Sequence, residues 1–546
     1  MADAAPRASQ FAPFRHRAFA LIWGAAIVSN LGSQLQQVGA AWVMTGLTGS
    51  AGMVALVQSA ATLPIMIFAL LAGALADNIE RRRLMLLAQG FMLLAALALA
   101  GLAWAGLLTP WTLLALTFVL GCGQALNNPS WQASVGDLVP REDLPQAVLL
   151  NSVGFNLARS IGPAIGGVVV AALGAAAAFG MNAASFVVML GALFGWHPPR
   201  SKATLPREAI GRAMLDGIAY VWMSPNLLRV MLRAFLFGFG AIALMALLPV
   251  VARDILDLGA TSFGLMLGAF GIGAILGGFL NARLKAMFDS EHRARVGFGA
   301  FAVALVWLAW SPHLWLSAPA LALAGASWVV TLSLLNVTVQ MSTPRWVVGR
   351  ALSLYQTAVF GGMAIGSWCW GAAAEEAGIA SALMLAAAFL IGGLLAGYLR
   401  PLPEVGMLDL SPLDRFRAPD VLLDLRARSG PIAVMIDYEI RHEDTDEFLA
   451  IMARRRQIRV RDGARRWALL RDLENPRLWT ESYHVATWTE YQRHNLRRTV
   501  ADADGLDRLR ELHQGAGTPR VHRMIERQTI PPRDDVPLRT VTEITH

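Results

Sequence analysis

The sequence predicts an all-α polytopic membrane protein with twelve transmembrane helices in two six-helix halves. A C-terminal α+β ferredoxin-like cytoplasmic domain follows. Three observations carry this. Only 15% of the 546 residues are charged, against about a quarter in an ordinary soluble chain. Twelve apolar stretches are long enough to cross a hydrocarbon core of about 30 Å as helices. The composition then breaks near residue 400: from Arg400 onward there are 25 Lys/Arg and 24 Asp/Glu, against 21 and 14 in all of residues 1–399.

The expected spans are 18–43, 50–76, 84–107, 110–134, 144–171, 174–196, 227–251, 260–284, 295–311, 314–340, 348–374 and 377–399. Helix is the reading for each, because an isolated strand leaves its backbone groups unsatisfied in lipid. Basic residues mark cytoplasmic loops. The even-to-odd connections hold Arg81, Arg82, Arg83, Arg141, Arg200, Lys202, Arg207, Arg212, Arg283, Lys285, Arg293, Arg295, Arg345 and Arg350, whereas the opposite loops hold only Arg253. This places both termini inside, in the inner (plasma) membrane. The opening residues 1–17 read as a cytoplasmic lead-in without a signal-peptide cleavage pattern.

The organisation follows as an N-terminal half over 18–196, a linker over 197–226 and a C-terminal half over 227–399. In the linker, Ile210, Met214, Ile218 and Val221 recur at helical spacing, which suggests an amphipathic helix along the inner surface. A sparse internal repeat at an offset of 204 pairs Pro140, Arg141, Ala147 and Gly162 with Pro344, Arg345, Ala351 and Gly366. Two parallel halves are a known transporter construction. Residues 400–429 read as a second linker and 529–546 as a disordered tail. Between them, 430–528 reads strand, helix, strand, strand, helix, strand around a turn at Asn475-Pro476, which is the ferredoxin-like order.

Composition excludes several classes. The net basicity lies between apolar spans, which argues against nucleic acid as a partner. Cys122 and Cys369 both fall in apolar runs, so neither a disulfide framework nor a metal site is expected. No cofactor motif occurs. The expected partners are the lipid bilayer and a small-molecule substrate.

Uncharged polar residues cluster at helical spacing inside the spans: Asn30, Gln34 and Gln37 on helix 1, Gln124 and Asn128 on helix 4, Asn336 and Gln340 on helix 10, Gln356 with Tyr355 on helix 11. Each could be an interhelical hydrogen bond; as a set they suggest a polar substrate pathway. Phe235, Phe239 and Trp328 could add aromatic surface for a bulky ligand. Arg159 is the one ionisable residue deep in a span, and such residues face cavities or partners. It would hold an anionic substrate group, or else bind backbone carbonyls and fix its helix in register.

Residues 73–86, GALADNIERRRLML, concentrate charge between two apolar spans. Gly73, Asp77, Arg81 and Arg82 resemble the signature loop of the major facilitator superfamily, in which the Asp contacts the other half and the Arg residues brace the loop. Asn78 and Glu80 depart from that pattern. Simple positive-inside anchoring is the alternative. On helix 5, Gly162, Pro163, Gly166 and Gly167 resemble the core of the superfamily's antiporter signature, without its earlier glycines (Leu149 and Ala158 stand there). Helix packing alone is the alternative for these four. Residues 13–44 (PFRHRAFALIWGAAIVSNLGSQLQQVGAAWVM), the NPSWQA stretch and NAASF at 182–186 resemble the enterobactin-exporter-like, transmembrane secretion effector branch of this superfamily. That resemblance implies a secondary exporter of a siderophore, drug or metabolite that works by alternating access and is driven by a proton. No acidic residue stands clearly mid-membrane to carry the proton.

The tail segment WTESYHVATWTEYQRHN, with Tyr483, His484, Trp488, Tyr491 and His494, resembles antibiotic biosynthesis monooxygenase-like domains, which are small ferredoxin-like dimers. Self-association is therefore an implied role, and no catalytic spacing is evident, so an enzyme is not expected. Two rivals stay open. A bifunctional protein would place a tyrosine or histidine over an open pocket in the tail. A non-transporting sensor would join the tail to the 197–226 helix and have a closed, dry bundle.

Overall fold

The computed structural model describes residues 11–140, 142–197, 210–256, 259–344, 346–404, 409–410, 413 and 415–526. The lead-in 1–10, the expected disordered tail 529–546, Arg141, Arg207 and Arg345 lie outside them, as do the side chains of Asp77, Leu149 and Arg212.

The chain forms two compact units. One comprises residues 1–202, 226–339 and 352–405; the other comprises 203–225, 340–351 and 406–546. The first unit is a helical bundle of α1 (Arg17–Leu47), α2 (Ala51–Asn78), α3 (Arg81–Trp104), α4 (Pro110–Leu138), α5 (Leu144–Phe194), α7 (Pro225–Val250), α8 (Ala260–Met287), α9 (Ser290–Ala309), α10 (Leu314–Met341), α11 (Val348–Ala377) and α12 (Ile379–Leu399). The intervening α6 (Ile210–Trp222) lies in the second unit. Helix starts follow local chemistry. Ser50 accepts from the Met53 amide at 3.0 Å, Thr109 and Thr112 form a capping box, and Asp289 accepts from the His292 amide at 2.6 Å; each satisfies an orphan donor of the first turn.

The segment α5 is two helices meeting at Gly174, whose φ of 81° and ψ of 168° are not helical. Its two arms correspond to the two expected spans 144–171 and 174–196. Glycine occupies a backbone region that side-chain-bearing residues avoid. Among the described residues, eight helices are long and apolar enough to cross a membrane. Helices α4, α9 and α11 fall outside that set. They carry the polar run NNPSWQ, the start SEHRAR and the end EE, respectively.

The packing within the bundle uses glycine where helices cross. A Cβ at Gly162 would lie 2.7 Å from Gln34 Cβ, and one at Gly166 would lie 3.2 Å from Leu35 Cα, so both seat α5 on α1. A Cβ at Gly366 would lie 2.9 Å from Ile242 Cγ2, seating α11 on α7. The repeat partners Gly162 and Gly366 therefore do the same work in the two halves. Extending the offset of 204 pairs Gly167 with Gly371. A Cβ at Gly167 would come 2.9 Å from the Ala260 carbonyl on α8, and one at Gly371 would come 3.0 Å from Gly52 Cα on α2. Both join one half to the other. Ala147 and Ala351, also repeat partners, are both fully buried.

The second unit contains a four-stranded antiparallel sheet of β1 (Ile432–Glu439), β2 (Arg465–Arg471), β3 (Leu478–Val485) and β4 (Arg520–Ile525), in the order β2-β3-β1-β4. Helices α13 (Thr445–Arg461), α14 (Trp488–Leu496) and α15 (Ala503–Leu512) complete the order β-α-β-β-α-α-β. Alternation puts Ile432, Val434, Ile436 and Tyr438 on one face of β1, in a core shared with Phe448, Met452, Tyr483 and Leu509. The register opposes Ile436 to Glu481 and Val434 to Tyr483, so a carboxylate enters this core.

Candidate functional site

A cavity of ≈ 260 Å³ lies inside the helical bundle. Its polar lining comes first from α1, where Ser29, Asn30, Ser33, Gln34 and Gln37 fall on neighbouring turns. Gln58 and Thr62 of α2, Gln89 of α3, and Gln124, Asn127 and Asn128 of α4 add to it. The other half contributes mostly apolar surface: Ile242, Met245, Phe263, Leu267, Phe270, Trp328, Phe360 and Met363. From α5 come Phe155, Arg159, Pro163 and Phe186. Among the described residues lining it, Arg159 is the only ionised one and no carboxylate occurs. Its guanidinium carbon stands 5.5 Å from the centre of the Trp328 ring, within cation–π range. The indole Nε1–H of Trp328 is buried without a hydrogen-bond partner, and a buried donor of that kind is costly unless a ligand or water takes it.

The structure therefore gathers Asn30, Gln34, Gln37, Gln124, Asn128, Arg159 and Trp328 in one cavity, and leaves three expected pathway residues out of its lining. Asn336 and Gln340 stand eight and twelve residues beyond Trp328 on α10. At 1.5 Å per residue Asn336 is roughly 12 Å along the axis from Trp328. Gln356 lies one turn before Phe360 on α11 and is not among the residues lining the cavity. Phe235 and Phe239 stack on each other with ring centres 6.2 Å apart, and Phe239 packs against Trp370 and Phe389 rather than lining the cavity. Of the residues the sequence did not single out, Gln58 and Thr62 had a signal, being one turn apart on α2; Gln89 and Asn127 had no such spacing and are joined by a hydrogen bond between α3 and α4.

The loop after α2 is tied within its own half. Arg81 Nη1 donates to Asp137 at 2.7 Å, and Arg82 donates to the carbonyls of Leu193 and Phe194, each at 2.9 Å. Gly73 meets the other half: a Cβ there would come 2.7 Å from Ser353 Oγ on α11. At the opposite end of the bundle, near the α1–α2 turn, polar contacts also cross between halves. Glu375 of α11 accepts from Ser50 and from the Gly52 amide at 3.2 Å. Arg253, in the π-helical turn after α7, donates to the carbonyls of Thr45 and Thr48 at the end of α1.

The stretches NPSWQA and NAASF also have local roles. Trp131 Nε1 donates to Asn151 Oδ1 at 3.1 Å, joining α4 to α5. Asn182 donates to Gln36, joining the second arm of α5 to α1.

A family model described as transmembrane secretion effector matches residues 8–529. The chain belongs to this family of the major facilitator superfamily. It is 26% identical over 402 residues to the multidrug efflux pump Tap of Mycolicibacterium fortuitum, covering 71% of this chain and 97% of that one. It is 28% identical over 423 residues to the enterobactin exporter EntS of Citrobacter koseri, covering 75% and 95%. Among solved structures, a bacterial homologue of the human lysosomal transporter Spinster, inward-facing and occupied, superposes with a TM-score of 0.57 at 14% identity, over 71% of this chain and 97% of that one. A POT family transporter in complex with 5-aminolevulinic acid gives 0.58 at 12% identity, over 70% and 96%. These two likenesses are of fold. A multi-spanning membrane transport protein is the class that the family and the helical bundle share.

In the second unit, α6 presents two faces. Gly217, Tyr220 and Val221 are buried, Tyr220 edge-on to Trp346 at 5.6 Å and under the Arg461 guanidinium at 5.2 Å. Arg497 stands 4.0 Å over the Trp346 ring. Leu215, Ile218 and Trp222 are exposed on the other face. The expected stripe thus divides: Val221 packs inward and Ile218 points outward, because Tyr220 and Gly217 supply the packed face. Within the sheet domain Glu481 is fully buried and receives Arg455 Nε at 2.7 Å, Arg459 Nε at 3.1 Å and Trp467 Nε1 at 3.1 Å. Burial alone would raise its pKa, but the two guanidinium groups and these hydrogen bonds hold it well below the carboxylate range. Burial pushes the pKa of Asp462 up to about 6, opposed by Arg461. His494 Nε2 lies 2.9 Å from the Arg459 guanidinium, which can only donate, so this nitrogen accepts and the ring is neutral. Burial and the adjacent arginines keep its pKa well below the usual value.

Proposed function

We propose that this chain is a secondary active exporter of a small organic molecule, preferably one bearing a negative charge and an aromatic group. It would move its substrate across the inner (plasma) membrane by alternating access between its two six-helix halves, twelve spans in all. The carrying observation is the cavity in the bundle. One guanidinium, a ring of amides and hydroxyls, and an aromatic wall converge there without a carboxylate. A cationic substrate would meet Arg159 unshielded, whereas an anion would pair with it and could take the Trp328 N–H. Most of the amides come from one half and most of the aromatic wall from the other. Closing or parting the halves would therefore assemble or dismantle the site.

Export as the direction rests on Tap and EntS and on the Gly162-Pro163-Gly166-Gly167 signature. Proton drive is carried from the same resemblance. The distribution of Lys and Arg supports both termini inside, with the α1–α2 end outward. The switch role of Gly73, Asp77, Arg81 and Arg82 is supported by the bracing of Arg81 and Arg82 and by the close approach of Gly73 to α11. For the sheet domain, the strand order supports the ferredoxin-like reading, in a cytoplasmic accessory role that includes self-association. A non-transporting sensor would need both a tail–α6 interface and a dry bundle. The interface is present, but the bundle carries a polar cavity, so transport is the better reading.

The test is efflux from intact cells loaded with a panel of aromatic anions, neutral analogues and cationic dyes, with and without a proton uncoupler. Uncoupler-sensitive efflux of anions, reduced tenfold or more in Arg159→Ala, is expected. Efflux of cationic dyes that persists unchanged in Arg159→Ala would sink the anion assignment. No efflux of any member, with no effect of Asp77→Asn, would sink transport.

A further inference from the structure

The sheet domain contains a second cavity, ≈ 410 Å³, between the sheet and α13, α14 and α15. Seven arginines line it, and among the described lining residues there is no carboxylate. Among the described residues, the acids that touch those arginines are too few. Glu481 serves both Arg455 and Arg459, and Asp507 serves both Arg415 and Arg510. Arg523 Nε donates to a neutral group, the Tyr491 hydroxyl, at 2.6 Å. Arg498 donates to the Asn495 side chain.

Arg459 supplies the independent observation. It is 2% exposed, and its Nη2 is buried with no hydrogen-bond partner. A guanidinium withdrawn from water with an unused donor costs several kcal/mol in general unless something compensates it. The same group lies 4.3 Å over the ring of Tyr483, and both residues belong to the cavity lining. The Tyr491 ring borders it as well. Burial and Arg459 already push the pKa of Arg498 down to about 10, which is the response of a cation cluster short of negative charge. The volume falls in the range of small-molecule sites.

We propose that this cavity is a binding site for a small aromatic anion, a ring bearing a carboxylate. The carboxylate meets Arg459 and Arg498, and the ring lies between Tyr483 and Tyr491. Bidentate guanidinium geometry favours a carboxylate over a point anion. Binding is non-covalent. The site is separate from the cavity in the bundle and does not depend on the transport reading.

The test uses the full chain in lipid nanodiscs and 1-hydroxy-2-naphthoate as probe, read by calorimetry against empty nanodiscs. The background is Arg159→Gln, so that the bundle cavity cannot supply the anion site. Saturable binding with one site per chain is expected, weakened tenfold or more by adding Arg498→Gln and by adding Arg459→Gln. The neutral amide of the probe and inorganic phosphate are expected to bind at least tenfold more weakly than the probe. Arg459 also holds Glu481, so that variant counts only if its melting temperature is kept; Arg498→Gln carries the test otherwise. The proposal is overturned if the probe does not bind, if Arg498→Gln leaves affinity unchanged, or if the amide or phosphate binds as tightly.

Discussion

The amide of Gly52 donates to Glu375 Oε1 at 3.2 Å, joining the first turn of α2 to the last turn of α11 across the two halves. Ser50 donates to the same carboxylate, and the Gly371 backbone sits against Gly52 one turn below. Glu375→Ala removes a charged acceptor from two donors, in an exposed setting where such bonds are weakened by water. The ratio of conformers open at this end is expected to rise about three- to tenfold. Spin-label distances between positions 49 and 373 would measure it. An unchanged distance distribution would mean that the contact holds nothing shut.

Gly167 offers a stronger intervention at the other inter-half crossing. A Cβ there would stand 2.9 Å from the Ala260 carbonyl, and backbone cannot yield as a flexible side chain can. Gly167→Val is expected to abolish transport while the chain still inserts and folds. Gly191→Val serves as control, because a Cβ at Gly191 would meet open space. Equal activity in the two variants would show that α5 and α8 need not approach so closely.

In the sheet domain, Glu481→Gln leaves Arg455 and Arg459 buried without their counter-charge. Breaking a buried pair from one side costs about 3–5 kcal/mol. Earlier melting of the sheet domain, followed by limited proteolysis at 405–430, is the expected outcome. The anion proposed for the neighbouring cavity would partly rescue it. A variant that melts with the wild type would mean that the arginines relax into water.

Asp462 gives a pH dependence. Its folded pKa, raised to about 6, stands above its unfolded value near 3.9. Between those values the folded state holds more protons, so stability falls as pH rises from about 4 to about 6 and levels off above that. Asp462→Asn is expected to flatten this segment of the profile, measured as melting temperature against pH. Glu481, with its pKa depressed, acts in the opposite sense: its contribution is present above its unfolded pKa and declines as pH falls below that.

Much of the helical framework was legible because the physics there is nearly one-dimensional. Apolar length fixes a span; the caps Ser50, Thr109 and Asp289 that set three of the starts were not read from the sequence, and α9 begins at Ser290 rather than at 295. The break at Gly174 was readable as the boundary between two spans, and the two helices do part there. The candidate cavity was half legible. Gln34, Gln37 and Arg159 stand out by polarity alone. Asn336, Gln340 and Gln356 look identical to them in sequence, yet they are not among the residues lining the cavity. The arginine cavity of the sheet domain was not legible at all. Arg455, Arg459 and Arg498 sit among exposed arginines of the same type, and the register that opposes Glu481 to Ile436 decides which are drawn inward.

Tyr220 and Trp346, far apart in the chain, are both capped by arginines of the sheet domain. That domain is therefore not a cassette that can be cut at residue 405 and moved. A graft onto another transporter would have to carry three separated pieces: α6, the turn before α11, and the tail. Conversely, a truncated chain would expose two large aromatic rings to water, so its loss of function would report poor solubility as readily as a missing signal.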